Sequence, residues 1–283
     1  MATVDYEVEY NNRARVPEHP EIFARWARDA AAYRDAGERA GRAELGLRYG
    51  ATPRQTVDLF APARGAQARA LAIFIHGGFW RSLDPSSFSH VASGLNGHGV
   101  TVGVVGYDLC PQVTLRTIVE EMQQACLFLW RRLGLRILAT GHSAGGHLAA
   151  CLLATDWKAL AADAPADLVP AAYAISGVYE LEPLVGIAIN DDLKLDAAEA
   201  RRLSPALWPV APGRALDAVV GGAESGEFLR QNRIIAEVWR RQGALTRDEE
   251  IPGANHFTVL DPLGDPGSAM VRRLVELSRL TQG

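Results

Sequence analysis

Lysine is almost absent from this chain of 283 residues: only Lys158 and Lys194 occur, and the other cations are arginines scattered along expected helices. With a formal net charge of −4 the sequence gives no reason to expect nucleic acid or an anionic membrane as a partner. Cysteine is scarce too. Cys110, Cys126 and Cys151 are odd in number and lack C-x-x-C spacing, which fits a reduced, cytoplasmic protein without a thiolate metal site. Cys126 and Cys151 fall on the apolar faces of expected helices, where small buried hydrophobes are common. No window approaches the roughly 18 consecutive apolar residues of a membrane span. The opening MATVDYEVEY has neither the basic nor the apolar stretch of a secretory signal. Repeats and low-complexity segments are lacking, no cofactor or metal is expected, and the oligomeric state, a homodimer included, is left open.

What is present is an alternation of apolar strands and amphipathic helices. Ile22, Trp26, Ala30 and Tyr33 recur at helical spacing within residues 21–44. Strands are expected at 45–50, 56–62, 70–75, 100–109, 136–141, 171–179, 216–222 and 244–253. Between them the pattern predicts helices at 87–99, 114–134, 144–154, 226–242 and 267–281, with an irregular stretch at 180–212. Apolar strands separated by helices imply an α/β fold, a mostly parallel sheet with helices on both faces. At this length one domain over 1–283 is expected, with a small lid formed by the N-terminal helical segment 1–44 and by a cap insertion at 180–212. Ligands of such sheets bind beyond the carboxyl ends of the strands, so the residues that follow each strand carry the functional reading.

Gly141-His142-Ser143-Ala144-Gly145 follows one such strand and opens a helix. Small residues two positions before and after Ser143 permit a sharp turn, which lifts the hydroxyl to a helix N-terminus. The alternative is a serine that merely caps the helix. A serine hydroxyl needs a base, and seven histidines are available. His256 stands apart because it sits in the loop between the last strand and the final helix. His142 is expected to point away from the reacting face and His147 to pack. An orienting acid should follow the strand at 216–222, where Glu224 is favoured over Glu227; Glu227 falls in the first turn of a helix, and Asp217 lies at the wrong end of the strand. His76-Gly77-Gly78 ends the strand at 70–75, and its glycines allow the backbone amides to approach a substrate oxygen, together with the amide of Ala144. Read alone, the same glycines could form only a tight turn. Phe79 and Trp80 then line the substrate pocket or pack the loop against the lid.

HGGFW, YDLCP, GHSAGGH, ISGVYELEPL, GGAESGEFLRQN and ANHF occur in this order. Together they resemble the α/β-hydrolase superfamily, specifically its kynurenine formamidase (arylformamidase) branch, near the hormone-sensitive-lipase-like esterases. The resemblance covers nearly the whole chain. It implies Ser143 as nucleophile, His256 as base and Gly77 and Gly78 as the oxyanion loop. Glu224 falls where that branch usually has aspartate, and Phe79 where it more usually has tyrosine. The function implied is a metal-free serine hydrolase of a small acyl amide or ester, plausibly an N-formylkynurenine-like aryl formamide. Two other readings stand beside it: a short-chain carboxylesterase with the same triad, and a non-catalytic binding protein built on the hydrolase fold.

Overall fold

The run Leu71-Ala72-Ile73-Phe74-Ile75 has no polar face, so a strand made from it is stable only where both sides are covered. The computed structural model, which describes residues 4–62 and 70–282, places it there. Residues 1–3, at the front of the expected 1–44 segment, lie outside the described residues. One sheet contains β1 (Ala43–Arg48), β2 (Thr56–Phe60), β3 (Leu71–Ile75), β4 (Thr101–Val105), β5 (Ile137–His142), β6 (Ala171–Ile175), β7 (Ala215–Gly221) and β8 (Leu245–Ile251). Their order is β1-β2-β4-β3-β5-β6-β7-β8. The pairings of β1 with β2 and of β2 with β4 are antiparallel, and all the others are parallel.

Every residue of β3, β5, β6 and β7 is buried. Leu71, Ile73 and Ile75 pack with Met122, Leu148 and Ile235, while the alternate residues Ala72 and Phe74 pack with Trp26, Phe88 and Leu274. Each face of the sheet therefore has its own apolar layer, as strand geometry requires. Ile75 pairs with Val105 on one side and Gly141 on the other, so β3, β4 and β5 end level and their loops meet at the carboxyl edge. At the far edge β8 carries Arg247, Asp248, Glu249 and Glu250, charges that oppose pairing with another strand.

Local differences from the sequence expectation have steric or hydrogen-bonding causes. The first long helix spans His19–Arg39 and gives way at Gly41 (φ 62°), so β1 begins earlier than the expected strand at 45–50. The expected helix at 87–99 is two 3-10 turns, Pro85–Ser87 and Ser89–Val91, followed by Ala92–Asn96. Within this last helix a Cβ on Gly94 would lie 2.2 Å from the carbonyl oxygen of Leu263, so the helix packs directly against a remote segment. The C-terminal helix is shorter than 267–281, running Ala269–Ser278, and the 180–212 stretch contains the short helices Asn190–Leu193 and Ala197–Arg202. Among the described residues, no helix is long and apolar enough to cross a membrane.

Within the helical segment expected at 1–44, the long helix is preceded by two separate short ones. Short helices at Tyr6–Tyr10 and Asn12–Arg15 are tied across the carboxyl edge. The Tyr10 hydroxyl donates to Glu227 Oε1 at 2.8 Å and accepts from Gln231 at 2.9 Å. Glu9 accepts the amide of Glu227 at 2.9 Å, and Glu7 accepts that of Ala188 at 2.8 Å.

Asp217 on β7 is 1% exposed and receives two bonds from Arg273 of the last helix, at 2.7 and 3.1 Å. Removing the cation strands a buried carboxylate. Arg273→Ala should cost roughly 2–3 kcal/mol in urea unfolding, below the usual figure because the guanidinium is partly open to water. An unchanged unfolding midpoint would contradict this role.

Candidate active site

Ser143 stands between β5 and the helix Ala144–Ala154 with φ 58° and ψ −118°, in the left-handed region. For a residue with a Cβ this costs about 1–3 kcal/mol and persists only where the surroundings enforce it. Here the Ser143 amide is held by the carbonyl of Ile175 at 2.8 Å. The glycines of the motif are steric necessities. A Cβ on Gly141 would lie 2.2 Å from the carbonyl oxygen of Gly145, and one on Gly145 would lie 1.9 Å from that of Ile75. The turn therefore sets Ser143 beside the first amides of a helix, where anions are favoured.

His256, 4% exposed, arrives from the loop after β8. Its Nδ1 lies 2.6 Å from Glu224 Oε2. The other oxygen of Glu224 accepts the Ser176 hydroxyl at 2.5 Å and the Gly221 amide at 2.7 Å, which fixes the carboxylate. With Nδ1–H directed at Glu224, Nε2 is left as the basic atom. Of the other acids, Glu227 is occupied by Tyr10 and by Nη2 and Nε of Arg230, at 2.7 and 2.8 Å, and Asp217 is held by Arg273.

His142 departs from expectation. Its ring does not point away but lies 4.7 Å from the His256 ring, and Nε2 is 2.7 Å from the main-chain oxygen of His256. Burial, and then the neighbouring His256, hold its pKa well below the ordinary imidazole value. It therefore serves as a neutral donor to the His256 loop. Ser176 and Phe228, whose ring is 4.6 Å from His256, also escaped the sequence reading, although both lie in the segments that carry the family resemblance.

At the end of β3, Gly77 rests against the serine: a Cβ there would meet Ser143 Cβ at 2.9 Å. Gly78 has φ 105°, and a Cβ there would lie 2.3 Å from the Ser82 carbonyl oxygen. The Tyr107 hydroxyl donates to the carbonyls of His76 and Gly77, at 2.9 and 3.3 Å. Because N–H and C=O of a trans peptide point in opposite directions, this leaves the Gly77 and Gly78 amides facing away from Tyr107. The His76 ring is stacked on Tyr107 at 4.3 Å, with its Nδ1 2.8 Å from the Gly77 oxygen, and burial lowers its pKa to about 4.

Phe79 and Trp80 both have positive φ, 50° and 55°, and their side chains diverge. Phe79 lines a cavity of about 360 Å³ together with Ser143, His142, His256 and Gly78. Trp80 was expected at the pocket wall as well. It is instead fully buried, edge-on to His147 at 5.0 Å, because the reversal of the chain at Phe79 turns it beneath the loop. Phe23, Trp26 and Phe257 extend the aromatic wall, and the N-terminal residues 7–13 contribute one rim. The volume suits one small molecule.

Comparison with known proteins agrees with this geometry. Residues 57–168 match the protein family described as BD-FAE. The chain is 28% identical to a kynurenine formamidase of Salmo salar over 243 residues, covering 82% of this chain and 81% of the relative. Identity to a kynurenine formamidase of Drosophila melanogaster is 29% over 240 residues, covering 81% and 79%. Among solved structures, a Silicibacter sp. tm1040 protein provisionally named a thioesterase superposes with a TM-score of 0.84 at 32% identity, over 95% of this chain and 98% of that one. Esterase B of Lactobacillus rhamnosis gives 0.69 at 20% identity over 95% and 96%, a likeness of fold alone.

The buried imidazoles make stability depend on pH. Burial lowers His76 and His147 to about 4, and His142 is also lowered. Unfolded imidazoles titrate near 6.5, so between about 6.5 and 4 the unfolded chain binds the extra protons. Stability is therefore complete above about pH 7 and falls as the pH drops through this window. Urea midpoints should decline steadily from pH 7 to pH 5; a constant midpoint would count against neutral buried imidazoles.

Proposed function

Because the chain belongs to the α/β-hydrolase superfamily and stands beside its kynurenine formamidases, we propose that it is a serine hydrolase of small acyl amides and esters, with an aryl formamide as its best substrate. The observation that carries this reading is the meeting, in one cavity, of a serine on a strained strand-to-helix turn and a histidine bonded to a buried carboxylate. In the proposed mechanism Ser143 Oγ attacks the substrate carbonyl while His256 Nε2 takes its proton. Glu224 keeps the His256 proton on Nδ1 and stabilises the imidazolium. The amides of Gly77, Gly78 and Ala144 receive the oxyanion, each donor contributing roughly 10²–10³ in rate. His256 then protonates the departing amine or alkoxide, and water activated by the same imidazole hydrolyses the acyl-enzyme.

The aromatic wall of Phe23, Trp26, Phe79 and Phe257 supports a flat leaving group, and the short N-terminal helices with the 180–212 stretch would act as its cover. The three free, buried cysteines are consistent with a cytoplasmic setting. The second reading, a short-chain carboxylesterase with the same residues, draws on the esterase fold of the structural relatives.

Parallel assays with N-formylkynurenine and p-nitrophenyl acetate separate the two readings. A higher kcat/KM for the formamide supports the first; an ester value orders of magnitude above it would reverse the choice. Ser143→Ala should remove turnover with the fold intact, and Glu224→Gln should lower kcat by about 10²–10⁴. Full activity in Ser143→Ala would end the mechanism.

A further inference from the structure

A second imidazole stands beside the nucleophile. The His142 ring is 3% exposed and forms part of the cavity wall with Ser143 and His256. Its Nε2 lies 2.7 Å from the main-chain oxygen of His256, which can only accept, so Nε2 carries the ring proton. Burial keeps the ring neutral, and a neutral imidazole protonated at Nε2 has a bare lone pair on Nδ1. That atom makes no hydrogen bond among the described residues. A Cβ on Gly77 would lie 3.2 Å from His142 Nδ1 and 2.9 Å from Ser143 Cβ, so acceptor and nucleophile flank the same glycine of the oxyanion loop. The main-chain oxygens of that loop are engaged. Those of His76 and Gly77 accept the Tyr107 hydroxyl, and that of Gly78 accepts the Ser82 hydroxyl at 3.0 Å and the Arg81 amide at 3.1 Å.

An acceptor in this place matters for amides and not for esters. When Ser143 Oγ bonds to the carbonyl carbon of an amide, the nitrogen becomes pyramidal and turns its lone pair toward the proton on His256 Nε2. Its N–H then points elsewhere, and in a cavity poor in water it needs an acceptor from the protein. We infer that His142 Nδ1 accepts this N–H in the transition state, which makes His142 a catalytic residue for amide cleavage and sets the selectivity for amide over ester. His142 transfers no proton. The serine proton passes through His256 to the nitrogen, the C–N bond breaks, and the amine leaves with its own N–H retained. An ester offers no N–H, so the interaction lowers the barrier for amides alone. The inference deepens the hydrolase reading and rests on it.

Two variants separate the roles of the ring nitrogens. Glutamine places an amide nitrogen near the position of Nε2, and asparagine places an amide oxygen near that of Nδ1. His142→Gln therefore keeps a donor for the His256 loop and removes the acceptor, and His142→Asn does the reverse. The measurement is kcat/KM for 4-nitroformanilide and for phenyl formate. In His142→Gln the anilide value should fall about tenfold or more, while the ester value changes by less than about threefold. In His142→Asn both values should fall together as the loop loses its donor, with their ratio within about threefold of the wild type. Ester turnover kept by His142→Gln shows that fold and triad are intact. Equal losses on the two substrates in His142→Gln, an unchanged anilide value, or a ratio that collapses alike in His142→Asn would overturn the role, since a merely structural histidine affects both substrates equally. Fluorophosphonate labelling of the wild type tests the hydrolase reading apart. Labelling combined with equal losses removes the role of His142 alone, whereas no labelling and no turnover of either probe removes the reading and this role with it.

Discussion

A serine held at φ 58° is the constraint around which the carboxyl edge of this sheet is arranged. Such a backbone is unfavourable for a side-chain-bearing residue and is kept only by contacts on every side. Gly141 and Gly145 vacate the space that the turn needs, and Gly77 lets β3 close onto Ser143 from the front. The level ends of β3 and β5 then bring the Gly77 loop beside Ser143 at the start of the following helix. Strain at one residue is thus compensated by the burial of five fully covered strands.

The same economy of position governs the histidine. The His256 loop is bonded to Glu224 through its ring and to His142 through its main chain, so the orienting contacts come from two different strand ends. Glu224 reaches this place with a glutamate's extra methylene because Ser176 and Gly221 hold its second oxygen. Phe228 supports the imidazole from the next helix, and Tyr10 packs edge-on against Phe228 at 5.5 Å. Through that contact the N-terminal segment bounds the cavity and also supports the residues behind its base. Truncation before residue 16 would therefore disturb both substrate contacts and the seating of His256.

The parts of this arrangement readable from sequence are those fixed by local sterics or by unbroken apolar runs. Gly141, Ser143 and Gly145 belong to the first kind, and the strands β3, β5 and β6 to the second. His256 was found through its place after the last strand, and Glu224 through its place after β7. Orientation was harder to read. His142 and Trp80 both follow from positive φ angles at a neighbouring or identical residue, which a lone sequence does not display. The helix expected at 87–99 forms only at Ala92–Asn96, after two 3-10 turns that the residue pattern does not distinguish from an α-helix. Residues 6–15 are placed by partners remote in the chain, Ala188, Glu227, Phe228 and Gln231.

The central claim is that the strained turn presents Ser143 to amides already aimed at a developing oxyanion. A crystal structure of the wild-type protein after reaction with a fluorophosphonate measures this directly. The account predicts phosphorus bonded to Ser143 Oγ and a phosphoryl oxygen about 2.7–3.1 Å from the Ala144 amide and from at least one amide of Gly77 and Gly78. An adduct on another residue, or a phosphoryl oxygen turned to solvent with those amides unengaged, would contradict it.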